Sequence, residues 1–377
     1  MVSVEKINLL FVLIQVAMGG TERIVLDLAR KIDRTRFNIY LAYFNDGAMK
    51  KAFEEICQGI FRIQKRSGLD PFAMQKISNI IKENHIDVIN AHHYLPFFYS
   101  FPGSRILHRR KLIYTEHSVF EVETILSSKH KKILSLMMPH TNSVIGISRE
   151  IGETFKNAYP KYSDKIRVII NGVDVDRFNT PVERDRLRSD WGISPGHFVI
   201  VTVANFRRVK NHVCLIKALK QLSTTYPQVR VLLVGQGFAQ DDENSEGQVR
   251  DLINKFGLQE KVIFTGFQND IPSLLKISDV FCLPSFSEGL PVGVLEAMAA
   301  KIPVVGSDVK GINEIVFQDN TGLLFTSNDE NALAHAFERL IKDTTLRGLL
   351  SNNAYEYVCK EHGLLQWVAA YECLFES

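Results

Sequence analysis

Short apolar runs alternate with amphipathic stretches along most of the chain. The runs at 8–16 (NLLFVLIQV) and 198–204 (FVIVTVA) are typical of strands that are buried on both faces of a parallel sheet. Several of the stretches between such runs carry apolar residues at helical spacing. Since 377 residues exceed one ordinary core, the alternation predicts two doubly wound α/β domains with parallel sheets.

The stretch 280–300 combines a strand, a polar loop and a helix. Val280–Leu283 is an apolar run, and a proline suits the first turn of a helix whose N terminus we place at Leu290. Free N–H groups at that terminus favour an anion, and Gly289 has no side chain to hold a ligand away. Glu288 in the loop and Glu296 about two turns along the helix add acceptors. The set favours a ligand with hydroxyls and phosphates, such as a sugar nucleotide.

Two other strands are followed by loops that suit phosphate. Gly19 and Gly20 follow the first strand, but the full GxGxxG and the Walker lysine are absent, so neither a dinucleotide fold nor a P-loop kinase is supported. A tight turn alone would also explain these glycines. Arg207, Arg208 and Lys210 follow the strand at 198–204 and would suit a pyrophosphate. A solvated basic loop is the alternative.

Three histidines lie at predicted strand ends. His92 and His93 are adjacent and would face opposite sides of a strand, and we identify no third ligand nearby, so we expect a loop bordering a cleft and no metal. His117 follows a strand at 111–115, at the end where sites of α/β folds gather. A structural role is the alternative for this residue.

Composition narrows the class of protein. The content of 45% hydrophobic and 23% charged residues is that of a soluble globular protein, and a net charge of +3 is too small to argue for nucleic acid. Five scattered cysteines without a CxxC pair indicate reduced thiols in the cytoplasm and no zinc site. The basic clusters 108–111 and 129–132 suit either solvated surface or contact with an anionic membrane face.

The motifs around the glutamates resemble those of a known family. Glu288 and Glu296, embedded in PSFSEGLPVGVLEAMA, resemble the carboxylate pair of retaining glycosyltransferases of family 4, which have the GT-B fold. GGTER at 19–23, a loop that in the family closes over the donor pyrophosphate and the acceptor, and NGVD at 171–174 resemble the same family. The family also has an arginine where Asn205 stands, whereas Lys210 matches its lysine. Arg207 or Arg208 would have to replace that arginine.

The resemblance covers essentially the whole chain and implies two Rossmann-like domains facing across a cleft. The acceptor-side domain would occupy 1–178, and the nucleotide-sugar domain would occupy 195–361. The C-terminal helix 362–377 would pack back on the first domain. The polar stretch 179–195 is predicted to be a linker.

The resemblance also implies an activity and the roles of several residues. A sugar would pass from a nucleotide-sugar to an acceptor hydroxyl with retention of configuration, without a cofactor or metal. Glu288 would bind the sugar hydroxyls, Glu296 the ribose, and Lys210 the departing phosphate. His117 would contact the sugar, and the loop that holds Phe267 would face the base.

The substrates are less defined by the sequence. A UDP-sugar is favoured over a GDP-sugar as donor, and the acceptor is expected to be a sugar or a lipid-linked sugar in polysaccharide or glycolipid assembly. The location would be cytoplasmic, with the option of peripheral contact at the inner membrane face. The alternatives are a nucleotide-sugar 2-epimerase of the same fold, a phosphorylase, and a non-catalytic nucleotide-sugar binder.

Overall fold

A computed structural model describes residues 5–17, 19–238 and 241–377. The chain divides into two compact units. The first unit runs to Asn171 and includes the C-terminal stretch Leu365–Ser377, and the second unit is Gly172–Leu364. Within the described ranges, none of the helices combines the length and the apolar content that a membrane span needs.

The first unit is built on a seven-stranded sheet in which every pairing is parallel. In the order β3-β2-β1-β4-β5-β6-β7 its strands are Gly59–Arg62, Phe37–Asn45, Ile7–Gln15, Val88–His92, Lys111–Glu116, Ser143–Gly146 and Ile166–Val168. Its helices in chain order, α1 to α7, are Gly20–Lys31, Lys50–Glu54, Pro71–Glu83, Tyr94–Phe101, Val119–Leu126, His130–Met137 and Arg149–Ala158.

The central strand β1 shows why the apolar run becomes a strand of this type. Its residues 9–13 are all buried, because β1 pairs on both sides with β2 and β4 and the sheet is covered on both faces. The helix Leu364–Glu376, numbered α15, closes this unit: Phe375 packs edge-on against Phe11 and Phe37, and Arg36 pairs with Glu372 at 3.0 Å.

The second unit contains a six-stranded parallel sheet. In the order β10-β9-β8-β11-β12-β13 its strands are Val262–Gly266, Val229–Val234, Phe198–Val203, Val280–Leu283, Val304–Ser307 and Leu323–Phe325. Its helices α8 to α14 are Arg184–Asp190, His212–Thr225, Glu246–Phe256, Ile271–Lys276, Val292–Ala299, Glu330–Lys342 and Thr344–Glu361.

The polar stretch 179–195 is not an extended linker. It contains α8, and Arg188 on this helix is only 5% exposed. The Arg188 guanidinium pairs with Asp279 at 2.7 Å and donates to the Ile277 carbonyl at 2.9 Å, which fastens the stretch to the second unit. Most residues of the stretch are exposed, as its polarity indicates, but Arg188 is buried together with its carboxylate partner.

Candidate active site

Two loops lie at the carboxyl ends of the neighbouring strands β8 and β11 in the second unit. A short 3₁₀ turn, Arg208–Lys210, follows β8, and a polar loop follows the adjacent strand β11. The Phe286 N–H donates to the Val209 carbonyl at 2.8 Å, which joins the two loops directly. The positions that the sequence marks as phosphate-binding and sugar-binding are thus neighbours, because their strands are neighbours in the sheet.

Lys210 and Glu288 form an ion pair in this loop cluster. The Lys210 Nζ lies 2.7 Å and 2.8 Å from the two carboxylate oxygens of Glu288, and the Ser285 hydroxyl donates to Oε1 at 2.5 Å. The Glu288 side chain is 8% exposed and that of Lys210 is 25% exposed. The carboxylate is therefore held in one orientation, while the ammonium group keeps access to solvent.

The loop after β12 packs against the backbone of the loop that carries Glu288. Gly311 has φ +83, and a Cβ there would lie 2.6 Å from the Glu288 carbonyl oxygen and 2.8 Å from that of Gly289. Only glycine fits both the backbone angle and this close approach. The buried Ser307 hydroxyl also donates to the Ser285 carbonyl at 2.5 Å. The β12 loop thus buttresses the loop that carries Glu288.

The helix after this loop begins later than predicted. Helix α12 starts at Val292, because Pro291 is in an extended conformation, and Leu290 is a buried loop residue. Glu296 therefore lies about one turn into the helix rather than two. It is 8% exposed, and Arg177 Nη1 lies 3.6 Å from its Oε1.

Arg177 connects Glu296 to the loop after β10. Its Nη2 donates to the Asn269 carbonyl at 3.3 Å. Phe267 lies in that loop and is half-buried. The structure thus links the position predicted for the ribose to the loop predicted for the base.

The two arginines of the basic loop differ in their partners. The Arg207 Nε lies 3.0 Å from an Asp241 carboxylate oxygen. In the part of the chain that the structure describes, Arg208 forms no ion pair, and it is exposed. Of the two candidates for the role of the arginine missing at Asn205, Arg208 is the one without an ion-pair partner in the described residues.

A second polar cluster lies at the ends of β1, β4 and β5 in the first unit. His93 Nδ1 lies 2.8 Å from both Glu116 Oε1 and Glu121 Oε2, and its Nε2 lies 3.1 Å from the Thr21 hydroxyl. This contact ties the first turn of α1, which begins at Gly20, to the histidine pair.

The remaining two imidazoles of this cluster pair with each other. His92 Nδ1 lies 2.8 Å from His117 Nε2, and both rings are buried. Gly19 sits over the buried Glu22, whose carboxylate oxygen would be 2.2 Å from a Cβ at position 19. A larger residue at position 19 would collide with this carboxylate.

The three histidines of this cluster differ in their charge. Burial opposes the charge of His93, but the Glu116 and Glu121 carboxylates hold its pKa well above the usual range. Burial and the nearby His93 lower the pKa of His92 to about 3. Burial, followed by the two neighbouring histidines, holds the pKa of His117 well below its usual range. One imidazolium thus lies beside two neutral imidazoles.

The expectation that the histidine pair has no third ligand nearby is wrong. Over the described ranges, one group has the donor atoms for a metal: His93, Glu116 and Glu121, with those atoms within 4.8 Å of one another. Both distances from His93 are hydrogen-bond distances, so the imidazolium is the cationic partner of both carboxylates. The sequence did not show this, because the partners lie 23 and 28 residues further along the chain.

Several residues that position the site were not recognised in the sequence. Ser285, Arg177 and Gly311 each hold a predicted residue or its loop, and Glu116 and Glu121 hold His93. Ser285 is three residues before Glu288 in the same loop, which is a local signal. The other contacts join residues that are distant in the chain, and no spacing indicates them.

Comparison with known proteins agrees with the fold described above. Residues 18–177 match the family described as Glycosyltransferase Family 4, and residues 183–357 match Glycosyl transferases group 1. The crystal structure of Anabaena HepE in complex with UDP-glucose is similar, with a TM-score of 0.86 and 26% identity over 98% of this chain and 100% of that chain.

Two curated relatives span most of the sequence. One is the UDP-Gal:alpha-D-GlcNAc-diphosphoundecaprenol alpha-1,3-galactosyltransferase of Escherichia coli, 25% identical over 93% of this chain and 91% of the relative. The other is the N-acetyl-alpha-D-glucosaminyl L-malate synthase of Bacillus anthracis, 24% identical over 86% of this chain and 83% of the relative. The predicted pair of parallel α/β sheets is confirmed, and the chain belongs to the group 1, family 4 glycosyltransferases, enzymes with the GT-B fold.

Proposed function

We propose that this enzyme transfers a sugar from a UDP-sugar to an acceptor hydroxyl with retention of anomeric configuration. The observation that carries the proposal is the Lys210–Glu288 ion pair at the carboxyl ends of β8 and β11. The likeness to HepE, which was crystallised with UDP-glucose, favours UDP as the nucleotide.

The roles in the second unit follow from charge. Cleavage of the donor leaves negative charge on the departing diphosphate, which Lys210 and the exposed Arg208 would stabilise. Glu288, oriented by Ser285, would accept hydrogen bonds from the sugar hydroxyls. Glu296 would accept them from the ribose. When the donor binds, Lys210 would give up one of its two contacts with the Glu288 carboxylate and form a contact with a donor phosphate oxygen.

In the first unit, Gly19, Gly20 and His117 remain the proposed contacts to the donor. A neutral imidazole can donate one hydrogen bond to a sugar hydroxyl without adding charge. No protein nucleophile and no metal is required in this proposal, since the leaving phosphate would take the proton of the acceptor on the same face of the sugar.

The proposed acceptor carries negative charge. The two curated relatives are named for acceptors with a diphosphate and with a dicarboxylate, respectively. In the first unit, a groove of about 440 Å³ is lined by Arg62, Lys65 and Arg66. Of these three side chains, only that of Arg62 forms an ion pair within the described residues, with Asp46 at 2.8 Å, while the backbone N–H of Arg66 donates to the Asp70 carboxylate at 2.8 Å. Arg66→Gln should therefore raise the KM for an anionic acceptor and leave the affinity for UDP unchanged.

Membrane contact is proposed for one of the two basic clusters. In the cluster 108–111, Arg110 approaches Asp87 at 3.4 Å and Lys111 donates to the Leu374 carbonyl, so these charges are engaged within the unit. In the cluster 129–132 three lysines are exposed, and Leu136 on the same helix is 75% exposed. Cosedimentation with anionic liposomes at low salt tests this contact, and protein that stays in solution would exclude it.

The donor is tested by thermal unfolding with a panel of nucleotide-sugars, UDP and GDP, without added metal. A ligand at 100 times its Kd stabilises the folded protein by about 2.7 kcal/mol. We expect UDP and one UDP-sugar to raise the Tm of the wild type and to lose most of that effect in Glu296→Ala. Product NMR then reports the anomeric configuration. Folded protein that responds to no nucleotide would refute the proposal.

A further inference from the structure

The buried contact between His92 and His117 has two ring nitrogens facing each other. His92 Nδ1 and His117 Nε2 lie 2.8 Å apart, and the ring centroids are 5.1 Å apart. At this distance one nitrogen must donate and the other must accept. Because the pKa of each ring is lowered by burial, each ring carries a single proton at neutral pH.

The other nitrogen of each ring has a different environment. His92 Nε2 is fully buried and has no hydrogen-bond partner in the described residues, and the nearby Phe11 ring, 5.9 Å away between centroids, is apolar. His117 Nδ1 has no partner in the same part of the chain either, but it is not among the buried unpaired atoms and so keeps contact with solvent. His117 as a whole is 9% exposed, against 1% for His92.

The two nitrogens can share the hydrogen bond in two ways, and the environments of the other two nitrogens favour one of them. If His117 Nε2–H donated, the proton of His92 would have to lie on its Nε2, as a buried N–H with no acceptor. If His92 Nδ1–H donates instead, the buried unpaired atom is a bare nitrogen, and the proton of His117 lies on its solvent-accessible Nδ1. Orphaned buried N–H groups are rarer in folded proteins than unpaired acceptors.

We propose that His92 is a positioning residue that fixes the proton of His117 on Nδ1, so that His117 presents a hydrogen-bond donor and not a base. His117 Nε2 is occupied by His92, and the only nitrogen that it can offer to a ligand carries the proton. His117 would therefore donate to a sugar hydroxyl or to a phosphate oxygen of the donor.

The wild-type protein tests the assignment without any substitution or ligand. Long-range ¹H–¹⁵N correlation spectra of histidine-labelled protein at pH 7 distinguish protonated from bare ring nitrogens. We expect His117 to show a protonated Nδ1 and a bare Nε2, and His92 to show the same pattern. The spectrum of His117→Gln identifies the His117 signals. A protonated Nε2 on His117 would overturn the proposal.

Two substitutions at His92 test the consequence for activity. His92→Phe keeps an aromatic ring and removes the donor, whereas His92→Asn places an amide N–H close to the Nδ1 position. We expect His92→Phe to lower kcat about tenfold, the value of one hydrogen bond to a reacting group, with a smaller change in the donor KM. Asn should recover most of this loss, and His335→Gln, on an exposed helix position, is the matched control.

The kinetic arm rests on the proposed transfer reaction, but the spectra do not. If His117 shows the expected proton on Nδ1 while no nucleotide-sugar is bound or turned over, the tautomer assignment stands and the proposed function fails. If transfer is observed and Asn is as impaired as Phe although both variants fold, the positioning role of His92 is refuted. If neither variant folds, the wild-type spectrum alone decides.

Discussion

The position of Glu288 can be perturbed from the loop after β12 without substituting a residue that is proposed to contact substrate. Gly311→Ala adds one methyl group at φ +83, where it would lie 2.6 Å from the Glu288 carbonyl oxygen. An alanine in the left-handed region costs roughly 1–2 kcal/mol of stability. The carbonyl must also retreat from 2.6 Å to at least 3.0 Å, and to 3.4 Å for an ordinary contact. The substitution therefore displaces the backbone of the loop that carries Glu288.

This displacement should appear in catalysis as well as in stability. A misplacement of about 1 Å at a reacting group can reduce the rate about 100-fold. Since the required shift is less than that, we expect kcat to fall about tenfold and the free energy of unfolding to fall by roughly 1–2 kcal/mol. Steady-state kinetics with the UDP-sugar identified by thermal unfolding, together with urea denaturation, measure both quantities.

A matched glycine separates loop displacement from the general effect of a methyl group. Gly348 lies inside α14, and a Cβ there would meet no atom within 4 Å. Gly348→Ala should stabilise the helix by up to about 1 kcal/mol and leave kcat unchanged. Ser307→Ala, which removes the hydrogen bond to the Ser285 carbonyl, should lower kcat, as Gly311→Ala does. If Gly311→Ala loses stability but turns over like the wild type, the β12 loop does not position Glu288.

Three further predictions follow from contacts in the two units. Glu296→Ala should raise the donor KM roughly ten- to a hundredfold with little change in kcat, since bonds to a charged acceptor contribute about 1.5–3 kcal/mol; an unchanged KM would exclude the role. Arg208→Gln should weaken UDP binding in calorimetry more than Arg207→Gln, because Arg207 is already ion-paired; equal losses would contradict this. The buried neutral rings of His92 and His212, with pKa values lowered to about 3, must gain protons on unfolding below pH 6.5. The free energy of unfolding should therefore fall by about 2 kcal/mol per ring between pH 6.5 and 5, and a pH-independent value would refute it.

The order of strands and helices could be predicted because parallel strands buried on both faces are continuous apolar runs. The run at 8–16 was predicted as a strand, and β1 is Ile7–Gln15. The boundaries of helices and the structure of segments between elements are harder to predict from the sequence. The polarity of the stretch 179–195 predicts a linker, whereas Arg188 in it is buried against Asp279, a partner 91 residues away. Composition does not report a long-range ion pair.

In the candidate site, the sequence indicates individual functional residues but not the contacts between them. Glu288 and Lys210 were recognised as separate candidates from their loops, but their ion pair joins positions 78 residues apart. The start of α12 was placed two residues early, because the proline was assigned to the first turn and instead precedes it in an extended conformation. Backbone conformation at a proline depends on what packs around it, and the sequence does not specify that.

The sequence analysis does not contain the order of the strands in the sheet. That order decides which loops are neighbours in the candidate site. Glu288 is held by Lys210 from the loop after β8, by Ser285 from its own loop after β11, and by the backbone beside Gly311 from the loop after β12. These three strands are consecutive in the sheet, in the order β8-β11-β12. In a parallel sheet, loops that follow adjacent strands meet at one edge. Once that order is known, the loops after these strands are expected to contact each other, although no spacing in the chain relates their residues.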